Sequence, residues 1–248
     1  MSRPHGLLAV IPARGRSQGL PQKNIRPFAG LPLIAHSILF AKMCPEIDRC
    51  IVSTDSPEIA NVATRFGGDV PFLRPAELAQ HETPIWPVLQ HALAEVEQQD
   101  GASYDALLLL DPTSPAREPA DVSDAMHRLQ AQPLADGVIG VSRPEFNPIW
   151  HCVVERDGWM ADLMEEGADC ERRQDVRPVY RINGSLYLWR TAFVRTARSW
   201  RQDGRHRLYE IPESRAMSID TVEQFERAEL LVKSGRIVLP WLSESPVR

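Results

Sequence analysis

The chain has 248 residues, 43% of them hydrophobic and 25% charged, with a formal net charge of −5. This composition suits an ordinary globular protein, long enough for one α/β domain with a small appendage. The modest net acidity argues against general nucleic-acid binding. No apolar run of about 20 residues and no N-terminal hydrophobic region appears, so no membrane span or signal peptide is expected, and a cytoplasmic location is. The four cysteines, Cys44, Cys50, Cys152 and Cys170, form no C-x-x-C pair, and no histidine cluster completes a zinc site. Free thiols in a reducing compartment are expected.

The chain opens on five apolar residues, Leu7 to Ile11, which predict a buried strand. The loop that follows carries the breakers Pro12, Gly15, Gly19 and Pro21 and the cations Arg14, Arg16, Lys23 and Arg26. No acidic residue precedes Glu46, so an acidic protein begins with a wholly basic segment. Lysine is scarce, with only Lys23, Lys42 and Lys233, which makes a lysine in this loop hard to dismiss as surface decoration. Open α/β sheets bind ligands at the carboxyl ends of strands, and glycine-rich backbone with cations beside it suits phosphate oxygens. The loop therefore reads as a triphosphate cradle. It is neither of the two familiar phosphate loops, since G-x-x-x-x-G-K-[ST] and a helix-opening G-x-G-x-x-G are both missing.

Apolar spacing predicts a helix over Leu33 to Met43, with Pro32 at its start. RCIVS, Arg49 to Ser53, is a second short buried strand, followed by a helix over Pro57 to Phe66 capped by Ser56. A short strand over Val70 to Leu73 and a helix over Ile85 to Val96 follow. Tyr104 to Leu110, with ALLLL at its heart, is the most apolar strand and should lie centrally. A helix over Asp121 to Gln130, started by Glu118-Pro119, leads to the strand Gly137 to Ser142. Strands and helices alternate up to this point, which argues for a doubly wound, mostly parallel sheet.

From Arg143 to Pro178 the pattern breaks, and Trp150, Trp159 and Met160 lie among charged residues without clear period. Tryptophans on a polar background read as an interface. The pattern resumes with YRINGSLYLW, Tyr180 to Trp189. Arginine offers a planar fork for carboxylate or phosphate, so Arg173, Arg181 and Asn183 are candidates for reading anions and hydroxyls. The alternative is that Arg173 and Arg177 only balance the nearby acids, Glu165, Glu166, Asp169, Glu171 and Asp175. AMSIDT, Ala216 to Thr221, precedes an amphipathic helix over Val222 to Lys233. The tail from Ile237 shows no motif.

Six blocks, in chain order, resemble the acylneuraminate cytidylyltransferase (CMP-sialic acid synthetase) family. IPARGRSQGLPQKNI is similar to its I-P-A-R-G-G-S-K-G-I-x-x-K-N-[IL], with Arg14, Ser17, Gly19, Lys23 and Asn24 matching and Arg16 and Gln18 departing. STDS, RPAEL with Thr83, DPTSPAR, R-x-N-G at Arg181 to Gly184, and S-I-D-T at Ser218 to Thr221 follow. Asp111 stands where the family has glutamine, and Ser218 where it has an aspartate.

The resemblance implies a three-layer, nucleotide-diphosphosugar-transferase-like α/β domain over residues 1–142 and 179–248, with an inserted dimerisation arm over 143–178. It implies transfer of CMP from CTP to a nine-carbon sugar acid with release of pyrophosphate, by a homodimer or a tetramer. Arg14, Lys23 and Asp220 are the implied catalytic groups. Ala13, Arg14, Gly15, Ser17, Lys23, Asn24, Arg74 and Thr83 are expected at the nucleotide. Asp111, Thr113, Ser114, Arg173, Arg181 and Asn183 are expected at the sugar. Mg2+ is the implied cofactor, held by Asp220, with Asp111 a second candidate ligand. The alternatives are a sister cytidylyltransferase for legionaminate, pseudaminate or an octulosonate, and a non-catalytic relative that only binds nucleotide.

Overall fold

The computed structural model describes residues 5–16, 19–167, 169 and 172–242, with no description of the His5 and Arg173 side chains. The first strand, β1 (His5–Pro12), shows why the sequence makes a sheet covered on both faces. Leu7, Ala9 and Ile11 pack into one hydrophobic cluster, and Leu8 and Val10 into another. Successive side chains of a strand point to opposite faces, so an unbroken apolar run needs cover on both. Helices α1 (Leu33–Lys42), α2 (Pro57–Arg65), α4 (Pro119–Gln130) and α6 (Val222–Lys233) contribute to the first cluster. Helices α3 (Ile85–Asp100) and α5 (Thr191–Thr196) contribute to the second. The result is three layers.

The sheet also contains β2 (Arg49–Ser53), β3 (Tyr104–Leu109), β4 (Gly137–Ser142), β7 (Arg181–Arg190) and β8 (His206–Glu210), in the spatial order β8-β4-β7-β3-β1-β2. All neighbours are parallel except those of β7, which runs antiparallel to β3 and β4. The register slips between Ile139 and Val141, opposite Asn183 to Leu186 of β7. Gly184 sits in this irregularity at φ 76°, the left-handed region that favours glycine. A hairpin, β5 (Val153–Arg156) and β6 (Trp159–Asp162), forms a two-stranded sheet of its own inside the expected arm.

Several boundaries differ from expectation. Residues 70–73 form no strand, only isolated bridges from Asp69 to Ile51 and Leu73 to Thr54. α3 runs four residues past Val96, to a left-handed stop at Gly101. α2 is capped as expected, with Ile59 N donating to Ser56 Oγ. No helix among the described residues is long and apolar enough to cross a membrane.

A cleft built from three loops

Three segments meet at the carboxyl ends of β1 and β3. The first is the cradle after β1. Ala13 N donates to Ser53 O at 2.9 Å, and Gly15 N donates to Asp55 Oδ1 at 2.9 Å, tying the cradle to the end of β2. Asn24 is buried and donates from Nδ2 to Arg14 O at 3.2 Å, closing the loop on itself. The second segment is 111–117. Thr113 donates to Asp111 Oδ1 from both its backbone N, at 3.0 Å, and its hydroxyl, at 2.9 Å. The third is 216–221. Ile219 N donates to Thr113 O at 2.9 Å, and this bond stitches the second and third segments together.

The cleft they enclose is about 620 Å³ and is lined by Arg14, Lys23, Asn24, Arg74, Thr83, Asp111, Thr113 and Asp220, among others. Nucleotides fit cavities of this size. Eight residues expected at the site, spread over some two hundred positions of sequence, therefore line one cleft. Gly19 explains part of the convergence. A Cβ there would lie 2.5 Å from the Asp220 carbonyl oxygen, so only a glycine lets the cradle backbone rest on the third segment.

The charges are arranged unevenly. Lys23 Nζ donates to Asp220 Oδ1 at 2.8 Å, and Ser218 Oγ donates to Asp220 Oδ2 at 2.6 Å. Partial burial works against ionisation of Asp220, but these bonds and the Lys23 charge outweigh it and hold the carboxyl below its ordinary range. Arg14 spends its guanidinium on the carbonyls of His81, at 3.0 Å, and Gln80. Arg74 is buried, with Nε donating to Ser53 Oγ at 3.1 Å and Nη2 to Ser53 O. Burial, opposed by the Asp55 carboxylate and reinforced by the charge of Arg14, pulls Arg74 down to about 10. Two guanidinium groups that repel each other and line one cleft are relieved by an anion bound in it.

Other expected residues lie elsewhere. Asn183, 3% exposed, donates to Ser142 Oγ at 3.0 Å and accepts from Ser185 N at 3.0 Å, so it braces the irregularity in β7 instead of facing the cleft. Ser114 is 1% exposed and does not line the cleft. Arg181 lines a neighbouring cavity of about 510 Å³, where it donates to the Glu213 carboxylate and to Ala216 O. Thr83 reaches the cleft but donates its hydroxyl to Glu77 O. Ser17 and the Arg173 side chain lie outside the described residues. Arg177 pairs with Glu166 at 2.7 Å, the acid-balancing role weighed for it.

Arg117 went unassigned in the sequence and supports the site from below. It is 2% exposed and donates to Ser185 O at 2.6 Å, to Ser37 Oγ at 3.2 Å and to Asp111 O. Burial pushes its guanidinium down to about 10, with Asp111 and Asp121 offsetting part of that. A buried arginine reaching three acceptors fixes the backbone from which Asp111 and Thr113 enter the cleft. Its place in the DPTSPAR block was the only signal.

Residues 8–97 match the cytidylyltransferase family profile. The chain is 37% identical over 184 residues to the CMP-N,N'-diacetyllegionaminic acid synthase of Legionella pneumophila, covering 73% of this chain and 77% of that one. It is 28% identical over 221 residues to an N-acylneuraminate cytidylyltransferase of Streptococcus agalactiae, covering 88% of this chain and 51% of that one. A solved structure of CMP:2-keto-3-deoxy-manno-octonic acid synthetase complexed with CTP superposes with a TM-score of 0.69 at 19% identity, covering 93% of this chain and 99% of that one. That likeness shows the fold. With a cleft where the expected phosphate-binding loop meets Asp111 and Asp220, and with these relatives, the chain belongs to the acylneuraminate cytidylyltransferase family of nucleotidyltransferases.

Proposed function

We propose that this protein transfers CMP from CTP to an acidic nonulosonic sugar and releases pyrophosphate. The observation that carries the reading is the single cleft in which the cradle cations Arg14 and Lys23 face Asp111, Thr113 and Asp220. The anomeric hydroxyl of the sugar attacks the α-phosphorus, and the bond from that phosphorus to the bridging oxygen breaks as pyrophosphate leaves. Little covalent chemistry falls to the protein, so positioning and charge neutralisation supply the rate. Lys23 and Arg14 hold the triphosphate and stabilise the charge that develops on pyrophosphate. Asn24 fixes the cradle's shape through Arg14 O. Arg74 holds the end of β2 against the nucleotide side of the cleft.

The donor set fits Mg2+. Each Asp220 oxygen holds one described hydrogen bond and keeps a lone pair, and Asp111 Oδ2 has no donor among the described residues. The described residues hold no group of three or more His, Cys, Asp and Glu placed for a metal. Mg2+ needs only one or two carboxylates when phosphates and water complete its shell. Asp220, with Asp111 beside it, would hold the ion, which when bound neutralises phosphate charge.

Asp111 also bears on the sugar. Its Oδ2 accepts a hydrogen bond and repels a carboxylate, so it suits a hydroxyl or amide N–H of the sugar rather than its acid group. The Legionella pneumophila relative, named for a diacetylated sugar acid, favours an amide-bearing substrate of the legionaminate kind. The hairpin β5–β6 exposes Trp159 and Met160, 78% and 79% accessible, with Phe146 and Leu163 nearby in sequence. A second copy of this chain is the proposed cover, making a homodimer. The supply of CTP favours a cytoplasmic location.

The test of the reading is Lys23→Ala. Turnover should be abolished while circular dichroism and melting temperature stay those of the wild type. Unchanged pyrophosphate release in that variant removes the cradle from the mechanism.

A further inference from the structure

The two groups that bear most of the proposed reaction are set against each other in the cleft. Lys23 Nζ lies 2.8 Å from Asp220 Oδ1, and the Lys23 side chain is 14% exposed against 56% for Asp220. The other oxygen, Oδ2, accepts from Ser218 at 2.6 Å. The backbone around the carboxylate is fixed as well. Asp220 N and Thr221 N both donate to Gln224 Oε1, at 2.8 and 3.1 Å, and the cradle rests on the Asp220 carbonyl at Gly19. The backbone that carries the carboxylate is therefore tied to the start of α6, and Ser218 holds its second oxygen. Lys23 sits on a flexible four-carbon stem and can leave.

A divalent cation approaching Asp220 meets an ammonium already on one carboxylate oxygen. A triphosphate approaching the cleft offers that ammonium a stronger anion than a single carboxylate. We infer that Lys23 is a latch on Asp220: its ammonium suppresses divalent-cation binding at the carboxylate until a triphosphate draws the lysine away. The inference rests on the proposed function, since it takes Asp220 as a cation ligand and Lys23 as a phosphate ligand. It gives the metal and the nucleotide a mutual coupling, equal in both directions because linkage is reciprocal. It also gives Lys23 a role before chemistry begins, in keeping the cation from binding before its phosphate partner.

The test is Mn2+ binding to the full nucleotide-free chain, followed by electron paramagnetic resonance of the unbound ion. A partly exposed ion pair suggests a gain of about 5-fold or more in Mn2+ affinity when Lys23 is replaced by methionine or glutamine. The gain should vanish in Lys23→Met/Asp220→Asn, which places it at Asp220. Arg14→Met removes the same charge from the same cleft but from a side chain bound to the His81 and Gln80 carbonyls, so it should gain less. No tighter binding in either Lys23 variant overturns the latch, and so does an equal gain in Arg14→Met. A wild-type protein that releases pyrophosphate from CTP yet fails the Mn2+ comparison loses the latch and keeps the proposed function. A protein inactive with CTP fails on function whatever its Mn2+ affinity.

Discussion

Gly19→Ala tests whether the cradle must rest on the segment that carries Asp220. The new Cβ would stand 2.5 Å from the Asp220 carbonyl oxygen, against 3.4 Å for ordinary contact, so the gap must open by roughly 0.9 Å. Gly19 has a φ outside the left-handed range, so the substitution adds a steric conflict and no backbone strain. The neighbour is main chain held by Gln224 and by the Ile219–Thr113 hydrogen bond, and the cradle is the softer side. The cradle carries Lys23 with it, away from Asp220. A displacement near 1 Å in positioned groups costs about 100-fold in rate, or about 2.7 kcal/mol. Steady-state pyrophosphate release should show kcat/KM for CTP falling by about that factor. The melting temperature should move by no more than about 4 °C, since a surface loop yields at a cost near 1 kcal/mol. Gly15→Ala is the milder control, because its Cβ would meet Ser56 Cβ at 3.0 Å. Wild-type kcat/KM in Gly19→Ala would refute the claim that this contact sets the catalytic geometry.

Three further outcomes follow from the structure. His36 is fully buried, with Trp241 Nε1 donating to its Nδ1 at 2.9 Å, so its Nε2–H donates to Phe28 O at 2.8 Å and the ring is neutral. Burial lowers it to about 4 from 6.5, so its stabilisation is complete above pH 6.5 and is lost as pH falls toward 4. Urea denaturation at pH 7 and pH 5 should show the wild type losing about 2 kcal/mol more than His36→Asn over that interval; equal losses would contradict the assignment. Arg117→Met strands the carbonyls of Asp111 and Ser185 in the interior, and denaturant unfolding should register a loss of about 2–5 kcal/mol. Gly158→Val burdens a turn in which Asp157 and Gly158 both have positive φ, at 53° and 82°, and light scattering should show weakened self-association if the hairpin is the dimer contact.

The sheet was legible where a strand's whole length is apolar or where a loop carries its own chemistry. β1, β2 and β4 announce themselves by short apolar runs, α2 by its cap Ser56 and α6 by its amphipathic spacing, although the residue that caps α6 is Thr221 and not Asp220. Residues 70–73 misled because a short apolar run is compatible with a strand, while here only single bridges form, from Asp69 to Ile51 of β2 and from Leu73 to Thr54 just beyond it. The β5–β6 hairpin was missed although Asp157-Gly158 is a strong two-residue turn signal, because its flanking residues do not alternate cleanly. The tail was read as featureless, yet Trp241 is buried against His36, a contact across 205 positions.

The site divides the same way. Arg14 and Lys23 could be named from type and setting, and Asp220 from the family resemblance alone. That Lys23 touches Asp220, that Gly19 supports Asp220, and that Asn183 turns inward all depend on contacts between segments far apart in sequence. Pattern along the chain does not carry such contacts.

The most direct measurement is pyrophosphate release by the purified protein with Mg2+ and CTP against a panel of sugar acids that includes legionaminate, pseudaminate, sialic acid and an octulosonate, with ATP, GTP and UTP as controls. The account predicts release with CTP and a nonulosonic acid, and little with the other nucleotides. Tight CTP binding with no release across the panel would contradict it, and would leave a cleft that holds nucleotide without transferring it.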